Sequence, residues 1–115
     1  MELPVYDALI LRNIETHHIL LCFSTSPNSF EIWRNGTKLL NTATVVLHHQ
    51  DDQDVPITIK VQTKKACHDM CVQKGESRAI TVKDIMFILK EESIENVQAL
   101  LEIQFNMVRR EKIKL

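Results

Sequence analysis

The sequence predicts an α+β fold: an antiparallel β meander or roll of about seven strands, closed by a C-terminal α-helix. Three observations lead to it. Val55, Ile57, Ile59 and Val61 alternate with Pro56, Thr58, Lys60 and Gln62, the period of a half-buried strand. Asn35-Gly36 tolerates the positive φ that a two-residue hairpin turn requires. Beyond Ser93, apolar residues Ile94, Val97, Leu100, Leu101, Phe105 and Val108 recur at the three- and four-residue spacing of an amphipathic helix.

Taken in chain order, residues 5–12 and 18–23 are the first two strands, separated by Asn13-Ile14-Glu15-Thr16 and followed by a turn over 24–29 that contains Pro27 and Asn28. Residues 30–34 and 37–40 form the arms of the Asn-Gly hairpin. Strands at 42–49 and 55–62 flank Asp51-Asp52-Gln53-Asp54, whose like charges belong in a turn. Pro56 lacks an amide hydrogen and sits at a strand start or edge. The final helix is capped by Ser93 and ends in Arg109, Arg110 and Lys112, cations that suit its dipole. Residues 78–91 fit either period. Val82, Ile85, Met86 and Leu89 suit a helix opened by Thr81-x-x-Asp84, and Ile85-Met86-Phe87-Ile88-Leu89 equally suits a buried strand.

With residues 85–89 as a strand, the order resembles the pleckstrin-homology-like (PH-like) roll, whose final helix plugs a bent antiparallel sheet. The junction Met86-Phe87-Ile88-Leu89-Lys90-Glu91-Glu92-Ser93-Ile94-Glu95-Asn96-Val97 is similar to the end of such domains. The run Phe30-Glu31-Ile32-Trp33-Arg34-Asn35-Gly36-Thr37-Lys38-Leu39-Leu40 is similar to a hairpin of the meiotic Rec114-type family. With 82–91 helical, Arg78 to Lys90 instead resembles the last loop and third helix of a histone-fold subunit. That alternative needs a long middle helix, which Pro56 and the alternation at 55–62 oppose.

The chain has 115 residues, enough for one domain spanning 1–115. Fourteen Lys and Arg against fifteen Asp and Glu leave a net charge of −1, so no global field attracts nucleic acid or an anionic membrane. Apolar runs such as 19–23 and 85–89 hold five residues, far short of the ~20 that span a bilayer. Three cysteines, Cys22, Cys67 and Cys71, cannot all pair within one chain. With an N-terminus unlike a signal peptide, they point to a reducing intracellular compartment, nucleus or cytoplasm. Asn35-Gly36-Thr37 then reads as a turn, not a glycan acceptor.

No nucleophile-base pair or glycine cradle is legible, and with two glycines no phosphate loop forms. The reading is therefore no enzyme, no cofactor and no metal. Cys67, His68 and Cys71 are the only candidate metal ligands, with adjacent His48 and His49 too poorly spaced to complete their site. The expected function is a non-catalytic protein-interaction module, or a subunit of a larger intracellular complex, with nuclear DNA transactions as the setting the resemblance implies. Another protein chain or peptide would be its partner in a hetero-oligomer, docking at a sheet edge or on the helix flank. Trp33, Ile103, Met107, Arg109 and Arg110 are the candidate partner-binding residues, Ile103 and Met107 because they fall outside the helix's main apolar stripe.

Overall fold

Eight β-strands and no helix form among the described residues. The computed structural model describes residues 7–25, 30–37, 39–91 and 96–114, with side chains described at 15–25, 30–37, 39–91 and 96–108. The strands are β1 (Asp7–Ser24), β2 (Phe30–Arg34), β3 (Leu40–His49), β4 (Ile57–Thr63), β5 (Cys67–Val72), β6 (Ser77–Lys83), β7 (Ile85–Lys90) and β8 (Gln98–Lys114). They build two antiparallel four-stranded sheets, one ordered β1-β8-β3-β6 and the other β2-β7-β4-β5. This is the double-sheet arrangement of a jelly roll. Only β4 and β5 are consecutive strands paired in one sheet; every other connection crosses between sheets.

Alternation explains each buried face. Along β3, Asn41, Ala43, Val45, Leu47 and His49 are buried; along β4, Ile57, Ile59, Val61 and Thr63 are. Residues between them look outward. The two inward faces meet in one core with Val72, Ile85, Ile88, Val97, Leu101, Ile103 and Phe105, the burial that stabilises a sandwich.

The C-terminal helix is corrected to β8. Ala99, Leu101, Ile103, Phe105 and Met107 are all buried, a period of two hidden behind helix-compatible spacing by the adjacent Leu100 and Leu101. Pairing with β1 on one side and β3 on the other supplies non-local hydrogen bonds that outweigh the local preference. The Ser93 cap lies outside the described residues. The α+β class is thus replaced by an all-β one, and the PH-like roll loses the element that defines it. The histone-fold alternative fails as well, because 57–63, 67–72, 77–83 and 85–90 are strands.

Two expected hairpins are also corrected. Asn35-Gly36 does not fold β2 back onto β3; β2 pairs with β7. Asn35 instead anchors a crossing, its backbone N donating to Met86 O at 2.9 Å and its Nδ2 to Ile85 O at 3.1 Å. The acidic segment after β3 likewise crosses sheets. His49 Nε2 lies 2.7 Å from the Val55 carbonyl, which only accepts, so Nε2 carries the proton and Nδ1 accepts from Asp51 N at 3.3 Å. Asp51 in turn accepts from the amides of Gln53 and Gln98.

β1 runs straight through the turn expected at 13–16, since β8 pairs with it from Asp7 to Ser24 and a bulge between Asn13 and Glu15 absorbs the mismatch. β3 meets β8 only as far as Val108. The six pairs from Arg12↔Arg109 to Asp7↔Lys114 therefore leave the sheet as a two-stranded ribbon of roughly 20 Å. The molecule measures 73 × 22 × 18 Å.

Candidate functional site

A sandwich that is not closed into a barrel leaves sheet edges, and here they are β1, β6, β2 and β5. Each edge strand presents backbone donors and acceptors on its unpaired side. β6 and β5 touch across the sandwich, so they share one lateral side, with β1 and β2 on the other. The two sides differ in sequence. Contact between unlike sides of successive copies is heterologous and generates a ring or an open filament.

The three thiols stand on these edges. Cys22 is exposed on β1, and Cys67 and Cys71 are exposed and half-buried on β5. Cys22 shares the outer face of its sheet with Leu100 and His48, as the register Cys22↔Leu100↔His48 requires. Cys67 and Cys71 face outward from the other sheet, because Met70 and Val72 between and beside them are buried. Four residues along a strand span roughly 14 Å, twice the ~7 Å limit for bridging two cysteines. No pairing of Cys67 with Cys71 in one chain is therefore reachable.

That geometry also separates the candidate metal ligands. His68 lies on the opposite face of β5 from Cys67 and Cys71, and His48 and His49 alternate in the same way: His49 is buried while His48 bonds Ser77 on the outside. Among the described residues no group of three His, Cys, Asp or Glu converges as metal ligands do.

The other predicted site residues separate. Ile103 is fully buried and Met107 is 8% exposed, both in the core and not on a helix flank. Trp33 is half-buried with its ring edge-on to Phe105, centroids 5.6 Å apart. Arg109 and Arg110 lie in the ribbon, opposite Arg12 and Leu11; their side chains lie outside the described ones.

Sequence reasoning missed the corner at Asp84. This residue alone separates β6 from β7, at φ 54°, a left-handed conformation that Asp tolerates better than most residues. Buried Asn41 holds the corner: its Oδ1 accepts from Ile85 N at 3.0 Å, its backbone O from Asp84 N at 2.9 Å, and its Nδ2 donates to Leu39 O at 3.3 Å. Beside it a shallow pocket of ≈ 320 Å³ has Ile85 and Asn41 at its floor, with Arg34, Lys64, Leu39 and Met86 around it.

On the outer face of the first sheet, Ser77 Oγ lies 2.6 Å from His48 Nδ1, and Glu102 Oε2 lies 3.3 Å from Nε2. The set has the residue types of a hydrolytic triad, and it lies on the outer face of the sheet, away from the pocket at the Asp84 corner. Its role is to tie β6, β3 and β8. The described residues form no helix long and apolar enough to cross a membrane.

A family model for endospore appendages matches residues 18–112. Among solved structures the fold is similar to a chain from work on Bacillus endospore appendages, described there as a novel family of disulfide-linked pili, at 12% identity over 89% of each chain with a TM-score of 0.70. No curated protein matches the sequence.

Proposed function

The chain belongs to the endospore appendage family, and from that premise we propose that it is a structural subunit that polymerises with other chains into a spore-surface filament. Membership overturns the likeness to PH-like, Rec114-type and histone-fold proteins, and with it the intracellular, nuclear or cytoplasmic setting. The cysteine parity that suggested a reducing compartment has a different physical reading: an odd number of thiols is no obstacle when pairing runs between chains. Residues 1–115 act as one domain, and the protein works by assembly, without catalysis.

The observation that carries the reading is the family match across residues 18–112; the unpaired edges supply a mechanism. An edge on the β5/β6 side of one copy pairs with an edge on the β1/β2 side of the next, extending a sheet by main-chain hydrogen bonds. β6 suits this, with Ser77, Arg78, Ala79, Thr81 and Lys83 all exposed and no proline to interrupt the pairing. Repetition of such a heterologous contact builds a filament. Exposed thiols then lock neighbouring copies covalently, as the description of the similar pili suggests.

Electron microscopy of the purified full-length chain after oxidation tests this. Filaments that fail to withstand reductant plus mild denaturant, while oxidised ones persist, support both the assembly and the lock. A chain that stays monomeric under oxidising conditions at every concentration contradicts the proposal.

A further inference from the structure

We propose that β5 is a second assembly site, where two copies of this chain meet edge to edge about a two-fold axis at Asp69 and are locked by two reciprocal disulfides, Cys67 of each to Cys71 of the other. The inference rests on the reading of the chain as an oxidised surface subunit and adds the pairing.

Hydrogen-bond phase shows that the edge is correctly disposed. Thr63 N donates to Ala66 O at 2.8 Å across the β4–β5 turn. In an antiparallel ladder this makes alternate pairs hydrogen-bonded, namely Val61↔His68, Ile59↔Met70 and Ile57↔Val72. Cys67, Asp69 and Cys71 therefore aim their backbone N–H and C=O away from β4, toward the open edge. These three residues also share the outward side-chain face.

An antiparallel partner centred on Asp69 places Cys67 directly opposite Cys71 of the second copy, twice over. Residues opposite each other at a hydrogen-bonded site have Cα atoms ~5.5 Å apart, within the ~4.4–6.8 Å that a disulfide accepts, and Cβ atoms ~5–5.5 Å apart, which must close by about 1 Å to reach the ~3.5–4.5 Å of a bridge. The fold itself keeps Cys67 and Cys71 roughly 14 Å apart within one chain, so the spacing that forbids an internal bridge is the spacing a two-fold edge pair needs. Shifting the register by one pair puts each cysteine opposite a different residue type. Asp69 faces its own copy in this arrangement, and like charges directly opposite oppose the pairing until the disulfides form.

Each bridge joins two thiols, releases two protons and passes two electrons to an oxidant such as a low-molecular-weight disulfide, which is reduced to two thiols. The contact is isologous and closes at two. It therefore does not lengthen a filament; because β5 shares its lateral side with β6, it joins two copies whose β5/β6 side is not occupied by a filament neighbour, in the unassembled chain or at a filament end.

Complementation in a Cys22→Ser background, oxidised with glutathione disulfide and read on non-reducing gels, tests the pairing. Cys67→Ser and Cys71→Ser chains alone are expected to give at least tenfold less covalent dimer, roughly, than the background, because each loses both bridges. Mixed together they restore a dimer held by one Cys67–Cys71 bond, identified by mass spectrometry. Asp69→Asn is expected to raise the yield of the double-bridged dimer. Dimer persisting in either single variant indicates like-to-like pairing and overturns the proposal, as does failure of the mixture. Filaments seen by microscopy without this dimer refute the pairing alone; absence of filaments refutes the broader reading.

Discussion

Replacing Asn41 with alanine is expected to loosen the corner where the chain passes from one sheet to the other. Asn41 is 3% exposed; alanine leaves the buried Ile85 amide without its acceptor at 3.0 Å and the Leu39 carbonyl without its donor at 3.3 Å. A buried donor left unsatisfied costs about 1–3 kcal/mol, and the missing amide leaves a small void that adds about 1 kcal/mol. The expected loss is thus about 2–4 kcal/mol, large against the 5–15 kcal/mol typical of a domain. With a urea m-value of about 1.5 kcal/mol/M, the unfolding midpoint drops by roughly 1–3 M. The assay is equilibrium unfolding of the reduced chain, followed by fluorescence of its one tryptophan, Trp33, which packs on Phe105. Thr37→Ala is the control, since it removes only an exposed bond to Leu39 N and should cost no more than about 0.5 kcal/mol. Equal, small losses in both variants would show that the Asn41 side chain does not hold the corner.

Asp84→Val, a β-branched residue at φ 54°, is expected to destabilise by about 1–3 kcal/mol while Asp84→Asn stays close to the parent, both read by thermal unfolding. Ile103→Ala should cost about 2–5 kcal/mol because Ile103 is fully buried, whereas Leu20→Ala, at 58% exposure, should change stability by less than about 0.5 kcal/mol. The Gln98 amide, with that of Gln53, holds the Asp51 carboxyl below its ordinary pKa. A depressed pKa stabilises the fold above the unfolded value and loses that contribution as pH falls below about 4 through the folded one; Asp51→Asn should remove that part of the acid-side slope in a pH series. In the unassembled chain, amides of 8–13 and 109–114 should exchange with solvent far faster than those of 43–47 and 99–107, because a lone two-stranded ribbon is marginal.

The strand at β4 was legible because one face alternates without interruption: Ile57, Ile59 and Val61 are all buried. The same signal in β8 was blurred by Leu100 beside Leu101, and only pairing on both sides decides between periods there. Asn35-Gly36 correctly marks a break in the strand, but turn chemistry does not say which strand comes next to β2, and its partner β7 lies some fifty residues on. In a jelly roll most neighbours are distant in sequence, so a meander is the natural misreading of its strands. At the site, the odd number of cysteines was legible, but it pointed to a reducing compartment and not to the exposed thiols the structure shows. Their disposition on an edge strand was not legible, and it depends on β5 having β4 on one side only. The corner at Asp84 carried no local signature beyond a residue type that tolerates positive φ.

Immunogold microscopy of sporulating cells from the source organism, using antibodies to this chain, tests its assignment as an appendage subunit most directly. Gold particles along fibres projecting from the released spores are predicted. Gold confined to the cell interior, with bare fibres, would contradict it.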